Sequence, residues 1–163
     1  MIEVVAELGI NANGDLDIAK KMIDVVASAG IPYVKFQKRD INLVYSKEEL
    51  DKPRESPWGT TTREQKEGLE FKNDDYIEID KYCRVKAIKW FASPWDVNSA
   101  AFLGAFDIPF IKIPSALITN FELLGVCKQI DKPIILSTGM STIQEIKNAV
   151  DFIEPSNIKC ILH

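Results

Sequence analysis

Short apolar runs recur along the chain, separated by longer segments whose apolar residues fall at helical spacing. That alternation predicts βα units around a parallel sheet. Strands are expected at Ile2 to Leu8, Tyr33 to Gln37, Trp90 to Ser93, Phe110 to Ile113, Ile134 to Ser137 and Ile158 to His163. Helices are expected at Leu16 to Ser28, Asp74 to Lys86, Val97 to Phe106, Phe121 to Cys127 and Thr142 to Ile153. In the first of them Ile18, Met22, Val25 and Val26 recur beneath a lysine-bearing face, with Asp15 placed to cap its start and Gly30 to stop it. Six strands alternating with helices leave two α/β architectures open, a doubly wound open sheet and a barrel.

One stretch breaks the alternation. Arg39 to Phe71 is polar, contains PRESPWGTTTREQKEGLEF and follows the second strand directly. A connection this long is expected to be functional or disordered. Its glycines and prolines argue against one long helix, while Lys47 to Leu50 and Arg63 to Gly68 suit short helical turns. The segment ELGINANGD, between the first strand and helix, reads as a tight turn and does not match GxGxxG, so a dinucleotide-binding reading loses its main support.

With 163 residues, 46% apolar and 27% charged, the chain reads as one ordinary globular domain able to bury a core without disulfides or structural metals. The net charge of −4 comes from intermixed signs, so no nucleic-acid partner is expected. No stretch approaches a membrane span, and MIEVVAELGI is too short and too acidic for a secretory signal, which predicts a cytoplasmic protein. Cys83, Cys127 and Cys160 are odd in number and far apart, as expected of reduced thiols serving as small core residues.

Candidate chemistry gathers at the strand ends, where barrel enzymes hold their sites. Glu7 follows VVA, Lys35 and Gln37 follow YV, Ser93 follows WFA, Lys112 and Ser115 lie in FIKIPSA, Ser137 in IILSTGM and His163 in CILH. A single lysine in an apolar run can snorkel or pair with a carboxylate. Two of them, Lys35 and Lys112, point to an anionic ligand, phosphate or carboxylate, because burying like charges without one is costly. Ser93, Ser115 and Ser137 fit either helix caps and turns or a ring of donors around phosphate oxygens. Glu7 needs a partner such as Lys35 or Lys112, and beside lysines it can move protons to and from a carbonyl oxygen. His163, the only histidine, is a candidate metal ligand.

AELGINANGDLDIAKKMID, VKFQKR, YSKEELDKPRESPWGTTTREQKEGLEF, FASPWD, KIPSALITN, PIILSTGM and CILH, in this order, resemble the sialic acid (N-acetylneuraminate) synthase family along the whole chain. The resemblance implies a TIM (β/α)8-type barrel, here incomplete with about six strands of eight. It also implies a site for phosphoenolpyruvate, an N-acylated amino sugar and a divalent metal, manganese or magnesium. By the same resemblance Lys35 and Lys112 attend phosphoenolpyruvate, Gln37, Ser93, Ser115 and Ser137 help bind substrate, Glu7 works near the sugar and His163 is the first of two metal histidines. Two departures stand out: Ala12 replaces the histidine of the family's Asn-His-Asn-Gly turn, and Leu117 replaces an acidic residue found in some members.

Residues 1–163 are thus expected to be the N-terminal portion of a synthase barrel, with the last strands and the family's C-terminal antifreeze-like domain absent. The complete protein is expected to be a homodimer that makes a nine-carbon 2-keto sugar acid. This chain alone is expected to be inactive, to self-associate through open strand edges and to hold metal weakly. Alternatives are a legionaminic or pseudaminic acid-type synthase, or a truncated non-catalytic paralogue acting as an assembly partner.

Overall fold

The computed structural model of the protein describes residues 3–162. The chain divides into two compact units, Met1–Trp90 and Phe91–His163, where composition suggested one domain. In the first unit β1 (Val5–Glu7), α1 (Leu16–Ser28) and β2 (Tyr33–Lys38) form a parallel βαβ step. Asp15 opens α1 by accepting the N–H groups of Asp17 and Ile18 at 2.8 and 2.9 Å. Gly30 ends it at φ +70°, a conformation that suits glycine. Ala19, Ile23 and Val26 form the buried stripe of α1, which lies beside α5 (Asn73–Val85).

β2 alternates in the way that decides its use. Val34 and Phe36 are fully buried, while Lys35 and Gln37 on the opposite face are only partly covered. Around Phe36 the rings of Phe71, Tyr76 and Trp90 stand edge-on at 6.0 to 6.3 Å. The polar handles are satisfied, because the Tyr76 hydroxyl donates to the Gln37 carbonyl oxygen at 2.6 Å and Trp90 Nε1 donates to Asp80 at 2.9 Å. The Tyr76 hydroxyl is pushed well above its ordinary pKa, first by burial and then by Glu70, so it stays a neutral donor.

The polar stretch after β2 is built rather than loose. It folds as α2 (Ile41–Val44), α3 (Lys47–Leu50), the antiparallel hairpin β3 (Pro53–Ser56) and β4 (Gly59–Thr61), and α4 (Thr62–Leu69). Each helix has a side-chain cap: Asp40, Ser46, and Thr61 with Glu64 in a reciprocal capping box. Its two ends are fastened together, since Arg39 Nε meets Glu70 Oε1 at 2.6 Å, Arg39 Nη1 donates to the Tyr45 hydroxyl at 3.1 Å, and Lys38 Nζ donates to the Phe71 carbonyl oxygen at 3.4 Å.

β5 (Lys89–Pro94) begins in the first unit, where the Lys89 N–H donates to the Pro32 carbonyl oxygen at 3.0 Å, and runs on into the second. There it is followed by α6 (Val97–Leu103), β6 (Ile111–Ile113), α7 (Phe121–Gln129), β7 (Ile134–Ser137), α8 (Ile143–Ile153) and β8 (Ile158–Leu162). Pairing is parallel throughout, with Ala92 level with Ile111, Ile111 with Ile134, and Ser137 with Leu162. The strand order is β1-β2-β5-β6-β7-β8, so consecutive strands of this sheet are neighbours. Ile111, Ile113, Ile134 and Leu136 form its fully buried face, and α6, α7 and α8 succeed one another side by side. Among the described residues no helix is long and apolar enough to cross a membrane.

Element bounds shift by a few residues from those expected, for local reasons. Thr142 caps α8 rather than starting it, and α6 stops at Gly104, short of Phe106. β1 is shorter than the apolar run from Ile2 because only Val5 to Glu7 find partners on β2 among the described residues.

The Arg39–Glu70 pair is buried, with side chains 8% and 9% exposed. Burial raises the Glu70 carboxyl above its usual range even with the Arg39 guanidinium beside it, so desolvation outweighs attraction here. Arg39→Met alone should therefore cost about 3–5 kcal/mol by stranding a buried carboxylate. Arg39→Met with Glu70→Leu should recover most of that loss. Urea denaturation of the two variants checks this, and equal stabilities would contradict it.

Candidate functional site at the C-terminal ends of the strands

In the first unit the site residues stand where β1 and β2 run out. Glu7 and Lys35 are level in the parallel register, so both project to the same side, and their carboxylate and ammonium form an ion pair. Lys35 thus does pair with a carboxylate, and Glu7 has its partner. Gln37, two residues beyond Lys35, shares that face. The chain then turns beneath them, as the N–H groups of Leu8 and Gly9 both donate to the Lys35 carbonyl oxygen at 2.9 and 3.1 Å. Gly9 has φ +49°, and a Cβ there would lie 3.0 Å from Glu7 Oε1 and 3.7 Å from Gln37 Nε2. Ala12, in the turn that follows, is buried.

The second unit supplies the other candidates. Ser93 is buried one residue past Ala92, and Lys112 one residue past Ile111, so the two stand level across β5 and β6. Lys112 is only 8% exposed, and its Nζ donates to the Ile113 carbonyl oxygen at 3.1 Å. Ser115 follows in a single 3₁₀ turn, and Ser137 closes β7. The turn after Ser137 reaches back towards Ser115, since a Cβ on Gly139 would lie 3.5 Å from Ser115 Oγ. Met140, fully exposed at φ +61°, completes that turn.

Of the readings open to the serines, the structure removes the helix cap. The caps of α6, α7 and α8 are Asp96, Asn120 and Thr142, so none of Ser93, Ser115 or Ser137 caps the helix that follows it. Asp96 does so by accepting both the Ser99 N–H at 2.7 Å and the Ser99 hydroxyl at 2.6 Å. The sequence reading passed over Gly9 and Gly139, whose signal is steric, since each lies directly against a candidate polar side chain.

Among the described residues no three His, Cys, Asp or Glu side chains cluster closely enough to hold a metal ion. The described side chains therefore do not by themselves make a metal centre. His163, the expected metal ligand, and the side chain of Cys160 lie outside the described residues. What is present offers ammonium and hydroxyl donors for an anion in the second unit and a carboxylate with its ammonium in the first. A thiol nucleophile is not on offer there, because burial pushes Cys83 and Cys127 up to about 12.

Parallel strands that each end in polar residues, with helices following in turn, define a (β/α)-barrel enzyme fold of the TIM type, six strands of it here. Comparison with solved structures agrees: the N-acetylneuraminic acid (sialic acid) synthetase of Leptospira borgpetersenii serovar Hardjo-bovis, solved with citrate, superposes with a TM-score of 0.81 at 27% identity, over 97% of this chain and 52% of that one. The NeuB family matches residues 22–163, and the chain belongs to that family. The chain is 37% identical over 157 residues to the N-acetylneuraminate-9-phosphate synthase of Drosophila melanogaster, covering 95% of this chain and 42% of that protein. It is 33% identical over 156 residues to the N,N'-diacetyllegionaminic acid synthase of Legionella pneumophila, covering 93% of this chain and 44% of that protein. It thus spans less than half the length of these two relatives.

The buried thiols give a check on how α5 and α7 are packed. At neutral pH Cys83 and Cys127 should alkylate on the order of 10³-fold more slowly than an exposed cysteine, and both should react at once on unfolding. Mass spectrometry after timed iodoacetamide treatment would show it, and rapid native labelling of either would contradict it.

Proposed function

We propose that the protein carrying this chain condenses phosphoenolpyruvate with an N-acylated amino sugar, N-acetylmannosamine or a close relative, to give a nine-carbon 2-keto sugar acid and phosphate. Membership of the NeuB family and the sialic acid synthases among its relatives support the reaction class. The observation that carries the assignment to this chain is Lys112, an ammonium buried at a strand end, level with Ser93 and close in sequence to Ser115. An ammonium at a strand end is suited to an anionic ligand, since hydrogen bonds between charged groups are among the stronger polar contacts.

In this reaction C3 of phosphoenolpyruvate bonds to the sugar's aldehyde carbon, whose oxygen becomes a hydroxyl. Water adds at C2 and phosphate leaves. Lys112, with Ser93, Ser115 and Ser137, binds the anionic groups and opposes the charge that develops on them. Glu7, oriented by Lys35, relays a proton at the sugar's carbonyl oxygen, and Gln37 helps hold the sugar. Manganese or magnesium belongs to the same proposal, with His163 as the residue of this chain that would ligate it. The proposal places the protein in the cytoplasm, with phosphoenolpyruvate, and makes it a homodimer.

The sugar is set by experiment. Three carbons from phosphoenolpyruvate precede the sugar's six, so a product named as a 9-phosphate comes from a sugar phosphorylated at its sixth carbon. Phosphate release should be measured for the full-length protein with N-acetylmannosamine, its 6-phosphate and a diacetamido sugar. The Drosophila relative favours the 6-phosphate and the Legionella relative the diacetamido sugar. Background rates with all three would overturn the enzymatic reading and favour a non-catalytic assembly partner.

Lys112→Met in that protein should weaken phosphoenolpyruvate binding by about 1.5–3 kcal/mol, the range for a hydrogen bond to a charged group. Calorimetry measures it. An unchanged affinity would remove Lys112 from the site.

A further inference from the structure

The Glu7 end of the site rests on a stack of backbone contacts whose outermost layer is an indole ring. Gly9 lies directly against Glu7 and Gln37, and the turns after it are tied by three successive hydrogen bonds, from the N–H groups of Asn11, Asn13 and Asp15 to the carbonyl oxygens of Leu8, Ile10 and Ala12 at 2.9, 3.0 and 2.9 Å. They deliver the chain to Gly14 at φ +70°. A Cβ on Gly14 would lie 2.2 Å from the Gly68 carbonyl oxygen, and a Cβ on Gly68 would lie 2.1 Å from Trp58 Cγ. No side chain can intervene at either level. The backbone of the β1–α1 turn bears on the end of α4, and α4 bears on Trp58.

Trp58 itself is held from outside the stack. Its neighbour Gly59 packs on the Glu64 carboxylate, where a Cβ would come within 2.3 Å. Glu64 in turn accepts the N–H groups of Thr60 and Thr61 at 2.8 and 3.0 Å. The hairpin that carries Trp58 is therefore pinned to the first turn of α4, and Arg39 with Glu70 closes the far end of the same segment. The end of α4 meets the turn after Glu7 at Gly14.

We propose that Trp58 is a positioning residue for the sugar end of the site. Through Gly68 and Gly14 it sets the height of the turn at 8–15, and with it the places of the Glu7 carboxylate and the Gln37 amide. The segment after β2 is thereby a specificity element, reading the sugar without touching it. This rests on the function proposed above, in which Glu7 and Gln37 serve the sugar and Lys112 with its serines serves phosphoenolpyruvate.

Trp58→Ala in the full-length protein should raise KM for the sugar about tenfold and leave KM for phosphoenolpyruvate within about twofold. Trp58→Phe, which keeps a ring over Gly68, should restore most of the loss and guards against a variant that fails to fold. A merely structural role predicts fewer active molecules, a lower kcat with both KM values unchanged, and that result would overturn the proposal. So would KM values that rise in step.

A second readout does not depend on turnover. In isotope-labelled protein the carboxyl signal of Glu7 and the side-chain amide of Gln37 should both shift in Trp58→Ala and return most of the way in Trp58→Phe, while the backbone amides of Ile134 to Leu136 stay in place. Unmoved Glu7 and Gln37 signals would sink the positioning argument even if the enzyme proved active. Shifted signals in a protein that turns over no sugar would support the positioning and fault the proposed reaction instead.

Discussion

Parallel register is the constraint on which the rest of this structure depends. Residues level with one another on adjacent parallel strands leave the sheet on the same side, and every strand runs out at the same edge. Because Val5 stands opposite Tyr33, Glu7 must meet Lys35 and cannot point elsewhere. Because Ala92 stands opposite Ile111, Ser93 is level with Lys112. One residue of slip would turn Lys112 into the face now filled by Ile111, Ile113, Ile134 and Leu136, so burial of those four fixes where the ammonium goes.

The molecule holds two kinds of buried charge, and they serve different ends. Arg39 and Glu70 satisfy each other and close the segment after β2, yet burial of the Glu70 carboxyl outweighs the attraction to Arg39. Such a pair secures one arrangement of the chain ends more than it stabilises the fold. Lys112 is a buried ammonium at a strand end, and its Nζ donates to the Ile113 carbonyl oxygen. The surrounding strands accommodate that ammonium because their opposite face is wholly apolar and packed.

The contrast between helix caps and strand-end serines bears on how far a site can be read from residue types. Asp15 was legible as a cap from the sequence, and α3 and α4 fall where short helical turns were expected. Ser93, Ser115 and Ser137 looked equally able to cap. Only the register of the following helices, started by Asp96, Asn120 and Thr142, removes that role from them. The hairpin between Pro53 and Thr61 had no alternating apolar signature, since its residues are mostly polar, and Gly59 of that hairpin packs on the Glu64 carboxylate of α4.

By itself the sequence determined the order of the six sheet strands and of the longer helices between them, and the polar residues near the ends of those strands, because these follow from periodicity over a few residues and from what glycine, proline and capping side chains permit locally. It equally carried the family's ordered segments. Tertiary structure decided that Lys35 pairs with Glu7, that Arg39 closes on Glu70, and that Trp58, Gly68 and Gly14 lie in one stack. Those contacts join residues far apart in the chain at separations of a few ångström. No local preference encodes such distances; they are fixed only when the strands pair and the helices pack against them.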